Sequence, residues 1–233
     1  MAICMSPFEC LKEALDFCAG LIYYISVEIK AEEMLCLPLP DSLKIVLHQN
    51  GGIITTAQGN AAGVSNERLR LLEKSGELER AARGIYISPD EFTDKMYIAQ
   101  LSRPKIIYSH ETALFLHGLT DRDPVSYTVT VPSDYNAKSL RRDRFTVFAV
   151  KRELHGIGVE RLTTMFGHAV AAYGLERTIC DCIRSRNQMD IAIVTDAMKR
   201  YAKRSDKNLN TLMQMAEVFR VVKPLRSYME VLL

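Results

Sequence analysis

The stretch at residues 51–88 constrains the fold of this chain most, because turn and cap residues divide it into very short elements. It reads GGIITTAQGNAAGVSNERLRLLEKSGELERAARGIYIS. Thr55 and Gln58 form the Thr-x-x-Gln pattern of a capping box, in which a hydroxyl and an amide satisfy backbone donors at a helix start. We therefore predict a short helix over residues 55–61, preceded by another over residues 43–48.

A third helix is predicted over residues 66–74. Gly63 supplies a turn and Ser65 an N-cap in front of this helix, and Leu69 and Leu72 mark its buried side.

A β-hairpin follows the third helix. Ser75-Gly76 ends the helix, residues 78–80 and 84–87 are predicted as strands, and Ile85 and Tyr86 are expected in the core. Three short helices followed by a hairpin, within about 50 residues, is the order of a winged helix-turn-helix. We predict that this fold occupies residues 41–90 and that its third helix reads DNA.

The expected DNA-reading surface combines the third helix with helix starts and the hairpin turn. Arginine and asparagine suit guanine and adenine edges, so Asn66 and Arg70, with Arg68 beside them, are the expected base contacts. Hydroxyls at helix starts suit phosphate, and a long cation in a tight turn suits the minor groove. The alternative is that these cations only solvate the surface. The expected DNA-binding residues are Thr55, Thr56, Ser65, Asn66, Arg68, Arg70, Lys74 and Arg83.

The charge of the chain is unevenly distributed. Its 30 basic and 28 acidic residues leave residues 1–40 at −4, residues 41–90 at zero and residues 91–233 at +6. Because neutralisation of phosphates supplies most non-specific affinity for DNA, a single copy of residues 41–90 should bind weakly. Dimeric binding or help from the basic second domain is then required.

Residues 1–40 are predicted to be an N-terminal extension of unknown role, with a loose amphipathic helix around residues 9–27 and a break at Pro38-Leu39-Pro40. The apolar stretch at residues 15–29 contains two acidic residues and is too short to cross a bilayer, so we expect no membrane partner. No pair of the six cysteines forms Cys-x-x-Cys, which favours free thiols in the cytoplasm.

The predicted second domain, residues 91–233, is a mixed α/β domain with a helical C-terminal tail, which makes the chain α+β as a whole. Its predicted strands are residues 106–108, 127–131 and 145–150. Its predicted helices are residues 110–117, which Ser109 is expected to cap, and residues 175–184, 190–203, 209–219 and 224–233.

Three groups in this domain could carry chemistry, and we discount each. Ser109, His110 and Glu111 place a nucleophile, a base and a carboxylate in a row, but neighbours on a helix point about 100° apart, so they should not form a hydrogen-bonded relay. His110 and His117 lack a third metal ligand. Asp121 and Asp123 lie in a sequence that turn chemistry explains. No catalytic residue, metal or cofactor is predicted.

The C-terminal tail carries a run of basic residues. Such a run is either a solvated face or a contact for an acidic partner, DNA or RNA. Its members are Lys199, Arg200, Lys203, Arg204, Lys207, Lys223 and Arg226.

The chain from residue 42 onward resembles the AbiEi antitoxins of bacterial abortive-infection systems. The resemblance rests on GGIITTAQ, GELERAARGIYISPDEF, YSHETALFLHGLTDRDP, YTVTVPSDYN, YGLERTICDCIRS and the final YAKRSDKNLNTLMQMAEVFRVVKPLRSYMEVLL. Residues 1–40 have no counterpart in it.

This resemblance implies a cytoplasmic type IV antitoxin whose winged helix represses its own operon at inverted repeats. It also implies that the C-terminal domain counteracts a nucleotidyltransferase-like toxin, with a share for the basic tail and without an assumed direct contact. Two other functions stay open at this point: an enzyme using His110, Asp121 or Asp123, and a regulator that senses a ligand in a closed apolar cavity of residues 91–233.

Overall fold

The computed structural model describes residues 38–232, with side chains described as far as Glu230. These residues divide into two compact units, residues 38–91 and residues 92–232. The helix predicted around residues 9–27, the apolar stretch at residues 15–29 and four of the six cysteines lie outside the described residues. No helix within residues 38–232 combines the length and the apolar character needed to span a bilayer.

The first unit contains three helices and a small antiparallel sheet. The helices are α1 (Asp41–Gln49), α2 (Thr56–Ala61) and α3 (Asn66–Lys74), and the strands are β1 (Ile53–Thr55), β2 (Glu79–Ala82) and β3 (Ile85–Ile87). The three predicted helices and the hairpin are present, whereas β1 was not predicted. The strand order is β1-β3-β2, so β3 lies in the centre and pairs with both neighbours.

The core of the first unit collects residues from its helices, its sheet and the segments between them. Gly59 of α2 lies so close to α3 that a Cβ atom there would be 3.0 Å from Leu69 Cδ1. Leu69 and Leu72 are fully buried, as predicted. The buried residues of this core are Leu43, Leu47, Ile54, Val64, Leu69, Leu72, Leu78 and Tyr86.

The second unit combines a five-stranded mixed sheet with helices. Its strands are β4 (Ile107–Tyr108), β5 (Thr128–Pro132), β6 (Thr146–Val150), β7 (Val159–Thr163) and β8 (Ala169–Tyr173). Its helices are α4 (Lys95–Ser102), α5 (His110–Leu116), α6 (Lys138–Arg142), α7 (Arg152–His155), α8 (Leu175–Arg184), α9 (Ile191–Lys203), α10 (Leu209–Val218) and α11 (Val222–Leu232), with a short 3-10 turn at Arg186–Gln188.

The strand order of this sheet is β6-β5-β4-β8-β7. Strands β5 and β6 are parallel, as are β4 and β8, while β4–β5 and β7–β8 are antiparallel. The hairpin β7–β8 and helices α4, α6 and α7 were not predicted. Helix α11 begins two residues before the predicted start at Pro224, because proline is tolerated in the first turn, where an N–H has no helical partner.

Helix α8 lies at the centre of the second unit, and eight of its ten residues are buried. One face joins the core formed by the C-terminal helices, and the sheet forms a second core around Tyr108, Val129 and Val170. Arg177 of α8 is also buried, and its Nε atom donates to Asp181 Oδ2 at 2.8 Å. A buried charge of this kind persists only when it is paired and hydrogen-bonded.

Candidate nucleic-acid interface

Helix α3 presents one polar stripe to solvent. Its start is fixed by Ser65, whose Oγ accepts a hydrogen bond from the Arg68 backbone N–H at 3.2 Å. Asn66, Arg70 and Lys74 follow at intervals of four residues, so each lies about 40° further around the helix than the last. All three are exposed; Arg70 and Lys74 lie on the side opposite the buried leucines, and Asn66 lies at the edge of that side, about 60° from Leu69. We call Asn66, Arg70 and Lys74 the α3 stripe.

The expected position of Arg68 beside Arg70 is wrong. Residues two apart in an α-helix point about 160° away from each other, so Arg68 lies on the opposite flank from Arg70. Arg68 is half-buried, whereas Arg70 is exposed. The two arginines therefore cannot both belong to the α3 stripe.

The capping box at the start of α2 is confirmed. Thr55 Oγ1 accepts from the Gln58 backbone N–H at 3.2 Å, and Gln58 Oε1 accepts from the Thr55 backbone N–H at 2.8 Å. Both side chains are half-buried. The Thr55 hydroxyl is thus already hydrogen-bonded within the capping box, so we assign it to holding the start of α2 in place and not to a direct DNA contact.

Thr56 joins the start of α2 to the turn of the hairpin. Its backbone N–H and its hydroxyl both donate to the carbonyl oxygen of Gly84, at 2.8 and 3.1 Å. Gly84 has φ +73°, and a Cβ atom there would lie 3.0 Å from Thr56 Oγ1. Glycine is required at this turn for its left-handed backbone and for the close approach.

The hairpin turn presents Arg83 to solvent. A register shift between Arg80 and Ala82 interrupts the pairing of β2 with β3 just before the turn. Ile85 and Tyr86, by contrast, are buried, as predicted. The hairpin therefore has a core side that anchors it and an exposed tip that carries one cation.

The cations of this surface are electrostatically available. Within residues 38–91, the only ion pair of the first unit joins Lys44 to Asp41, and Arg70, Lys74 and Arg83 form none. Glu67 is also exposed, and it lies about 20° around α3 from Lys74. The surface therefore presents cations without ion-pair partners beside one exposed carboxylate, on a segment, residues 41–90, whose net charge is zero.

In the second unit, the expected divergence of the Ser109 and His110 side chains is wrong, although the second ring nitrogen of His110 faces Ser185 and not Glu111. His110 Nδ1 lies 3.0 Å from Ser109 Oγ, because the backbone at His110 has φ +48° and departs from helical geometry. Ser109 Oγ also accepts from Thr130 Oγ1 at 2.8 Å and makes no helix-capping hydrogen bond. The expected Ser109 side-chain cap is therefore also wrong.

His110 is a fully buried, neutral core residue. Its Nε2 atom lies 3.0 Å from Ser185 Oγ, and its ring stacks on Phe148 with centroids 3.7 Å apart. Burial, and then the charges of Arg184 and Arg177, lower the His110 pKa to about 3. A buried imidazole held between two hydroxyls fits a structural role in this core.

The two aspartates singled out for metal chemistry stand in solvent. Asp121 and Asp123 are exposed, and the Asp121 carboxylate accepts from Arg200 Nη1 at 3.0 Å. The hydrogen bonds from Arg200 hold the Asp121 pKa below its usual value. His117 Nε2 lies 2.8 Å from the Tyr173 carbonyl oxygen, to which it can donate a hydrogen bond. Among residues 38–232, no cluster of three or more His, Cys, Asp or Glu could hold a metal ion.

The basic tail does not present all its cations equally. Three of its members are engaged: Arg200 with Asp121 and Asp196, Arg204 with Asp206, and Lys207 with two backbone carbonyls. The other four are exposed, and no ion pair within residues 38–230 involves their side chains. They are Lys199, Lys203, Lys223 and Arg226.

Comparisons with known proteins give a family and a fold. A family model described as "Transcriptional regulator, AbiEi antitoxin" matches residues 41–89. Comparison with curated protein sequences gives no match. Three chains among the solved structures match, including the crystal structure of the RV2827C protein from Mycobacterium tuberculosis. That chain is 13% identical, and the alignment covers 78% of this chain and 73% of that chain with a TM-score of 0.51.

At such low identity the structural match concerns the fold alone, a mixed arrangement of helices and sheets. The family model matches the segment that contains the α3 stripe, the capping box and the hairpin. Residues 41–89 of this chain therefore match the AbiEi antitoxin family of transcriptional regulators, which confirms the family named from the sequence.

Proposed function

We propose that this chain is an antitoxin that also represses its own operon, by binding inverted repeats in duplex DNA through residues 41–90. In this proposal residues 41–90 act as a winged helix-turn-helix domain and α3 enters the major groove. Residues 91–233 form the antitoxin domain, which counteracts a nucleotidyltransferase-like toxin in the cytoplasm.

The observation that carries the DNA-binding part is the α3 stripe on a helix whose opposite side is fixed by burial. Leu69 and Leu72 are fully buried, so the rotation of α3 about its axis is set by its own core. The cations Arg70 and Lys74 are then held outward without ion-pair partners. A rigid helix face with flexible cations and an amide is suited to base edges in the major groove.

The other predicted contacts take distinct roles in this proposal. Asn66 and Arg70 read base edges, while Lys74 and the Ser65 hydroxyl lie at opposite ends of α3 and contact phosphates. Arg83 at the hairpin tip enters the minor groove. The two hydrogen bonds from Thr56 to Gly84 support this role, because they tie the hairpin turn to the start of α2. Arg68 is a phosphate contact at most, since it lies on the flank of α3.

The antitoxin part is supported by the family description of residues 41–89 and by the resemblance over the rest of the chain. The exposed cations Lys199, Lys203, Lys223 and Arg226 are its candidate surface. A growth assay tests it: expression of the full chain should restore growth to bacteria that express the toxin gene adjacent in the operon. Continued growth arrest, with the antitoxin present at a normal level, would reject this part.

The DNA-binding part is tested with the full chain and a labelled duplex that contains the inverted repeat upstream of its operon. Loss of a good base contact costs about 1–3 kcal/mol, so Arg70→Ala should weaken binding roughly 5- to 150-fold. Lys74→Ala should lower the slope of log affinity against log salt by about one. The matched control is Lys44→Ala, which removes one exposed cation from α1 of the same unit.

Two results would contradict the proposed orientation of α3. Either Arg70→Ala and Asn66→Ala both bind the operator as tightly as the unsubstituted chain, or Lys44→Ala weakens binding as much as Arg70→Ala does. Binding to a duplex of scrambled sequence measures the non-specific affinity. Arg70→Ala should weaken this non-specific affinity far less than it weakens binding to the operator.

A further inference from the structure

A pocket in the second unit lies where four segments of the chain end. The end of β6, the short helix α7 and the C-terminal ends of α8 and α10 line an open pocket of about 480 Å³. This volume lies within the range of about 300–1,000 Å³ that is typical of small-molecule sites. The DNA-binding proposal uses none of its residues.

Cations dominate the ionic groups around this pocket. Lys151, Arg184 and Arg220 line it, and Glu153 is the one acidic residue among the lining residues. Lys151 and Arg220 are exposed and form no ion pair within residues 38–230. Arg184 contacts Asp181 Oδ1 at 3.2 Å through Nη2, and that carboxylate is already paired with Arg177. Because one carboxylate is shared between two arginines, Asp181 neutralises only part of the charge of Arg184.

The helix ends at the pocket reduce this charge without cancelling it. The C-terminal ends of α8 and α10 each carry about half a negative charge. With Glu153 counted as well, the three cations still leave the pocket at about +1. The carbonyl of Ala216 near the end of α10 is also satisfied, because it accepts from the Val221 backbone N–H at 2.8 Å. An anion can therefore approach the cations of this pocket.

The walls between the cations are apolar. Val150, Leu154, Val218 and Phe219 line the pocket together with the cations. Phe219 is 4% exposed, and the guanidinium of Arg177 covers its ring at 3.5 Å, so Phe219 supports the wall from beneath and Val218, which is 43% exposed, presents its apolar surface. Apolar walls with a few convergent charges match a ligand that has both an apolar part and a strongly anionic part.

We propose that this pocket binds a nucleoside polyphosphate, with the phosphates on Lys151, Arg184 and Arg220 and the base against the apolar wall. Arginine and lysine form strong charge-assisted hydrogen bonds to phosphate oxygens, and the volume accommodates a mononucleotide. The site shares no residue with the α3 stripe, and its occupancy does not depend on the DNA-binding proposal.

Arg220 offers a variant that removes a cation without loosening the fold. Its backbone has φ +57°, just after the end of α10, a conformation that glycine adopts at less cost than arginine. Arg220→Gly should therefore leave the thermal stability of the chain unchanged or higher. A loss of ligand binding in this variant cannot then be attributed to unfolding.

The test is a calorimetric titration of the full chain with ATP and GTP, with tripolyphosphate alone and with the nucleosides adenosine and guanosine. We expect binding of the triphosphates, weaker binding of tripolyphosphate and no detectable binding of the nucleosides. Arg220→Gly and Lys151→Ala should each weaken triphosphate binding about tenfold. Val218→Glu, at a side chain that is 43% exposed, should abolish it by adding a negative charge to the wall. Arg226→Ala, which removes an exposed cation elsewhere, is the control.

Three outcomes would overturn the proposal. One is the absence of triphosphate binding at millimolar concentration, and another is binding that Arg220→Gly, Lys151→Ala and Val218→Glu leave unchanged. The third is equal weakening by Arg226→Ala, which would indicate a diffuse charge effect. The ratio of operator binding to binding of a scrambled duplex, measured on the same variants, separates this test from the DNA-binding proposal, because the proposed base contacts all lie in residues 41–90.

Discussion

Lowering the pH should destabilise the second unit through His110. The folded-state pKa of His110 is about 3, against 6.5 for the exposed side chain. Between these two pKa values the His110 imidazole binds a proton in the unfolded chain but stays neutral in the folded chain. The stability that His110 contributes is therefore fully present above about pH 6.5 and is lost progressively as the pH falls from there towards the folded pKa.

The expected size follows from this window. A difference of one pKa unit corresponds to about 1.4 kcal/mol, so between pH 7 and pH 5 the free energy of unfolding should fall by about 2 kcal/mol because of His110 alone. Burial also lowers the pKa of the half-buried His155, which adds to the fall in the same direction. The ion-paired Asp121, Asp134 and Asp206 have lowered pKa values and lose their contribution only below this range.

Urea denaturation followed by tyrosine fluorescence measures this effect. The chain has no tryptophan, and seven of its ten tyrosines lie in residues 92–233, so the signal reports mainly the second unit. His110→Asn is the matched variant, because asparagine tolerates the left-handed backbone and does not titrate. The reasoning is refuted if the unsubstituted chain and His110→Asn lose the same free energy between pH 7 and pH 5.

Two further stability predictions concern the two units separately. Asp181→Ala should destabilise the second unit by about 3–5 kcal/mol, because it leaves the buried Arg177 without its partner, whereas Asp196→Ala at an exposed ion pair should cost less than about 1 kcal/mol. Equal urea midpoints for the two variants would contradict this. In the first unit, Thr55→Ala should cost about 1 kcal/mol, because it removes the hydroxyl that caps the Gln58 backbone N–H. Hydrogen exchange should show faster exchange of that amide than in Thr55→Ser, and unchanged exchange would refute the role of the cap.

The helices of the first unit could be predicted because short-range chemistry determines their ends. Thr55 and Ser65 satisfy backbone donors within three residues of themselves, so the sequence alone contains both partners. Strand β1 could not be found in this way, because the β3 residues that pair with it lie 30 to 34 positions further along the chain. The orientation of Arg68 away from Arg70, by contrast, follows from helical spacing and was available from the sequence.

The failures in the second unit have a long-range cause. Val159–Thr163 is an edge strand with the sequence VERLT and little burial, so it lacks the apolar alternation by which a strand is recognised. His110 has the sequence context of an ordinary helix start, yet Ser185 and Phe148, distant in the chain, hold it in a left-handed conformation. The pocket is likewise assembled from segments that are distant in sequence, and no local motif marks it.

The proposed operator binding raises the question of what supplies affinity for phosphate. Residues 41–90 carry no net charge, so α3 can contribute specificity but only a small salt-dependent term. The second unit carries a surplus of cations, and residues 138–144 alone expose Lys138, Arg141, Arg142 and Arg144 around one aspartate.

Two sources of affinity follow: a second copy of the chain on the other half of an inverted repeat, or phosphate contacts made by the second unit of the same copy. Titration of the labelled operator duplex with the full chain distinguishes the two sources. If two copies bind together, the fraction of bound duplex rises more steeply with protein concentration than for one-to-one binding. Contacts by the second unit keep one-to-one binding and raise the salt slope above what the cations of the first unit can supply.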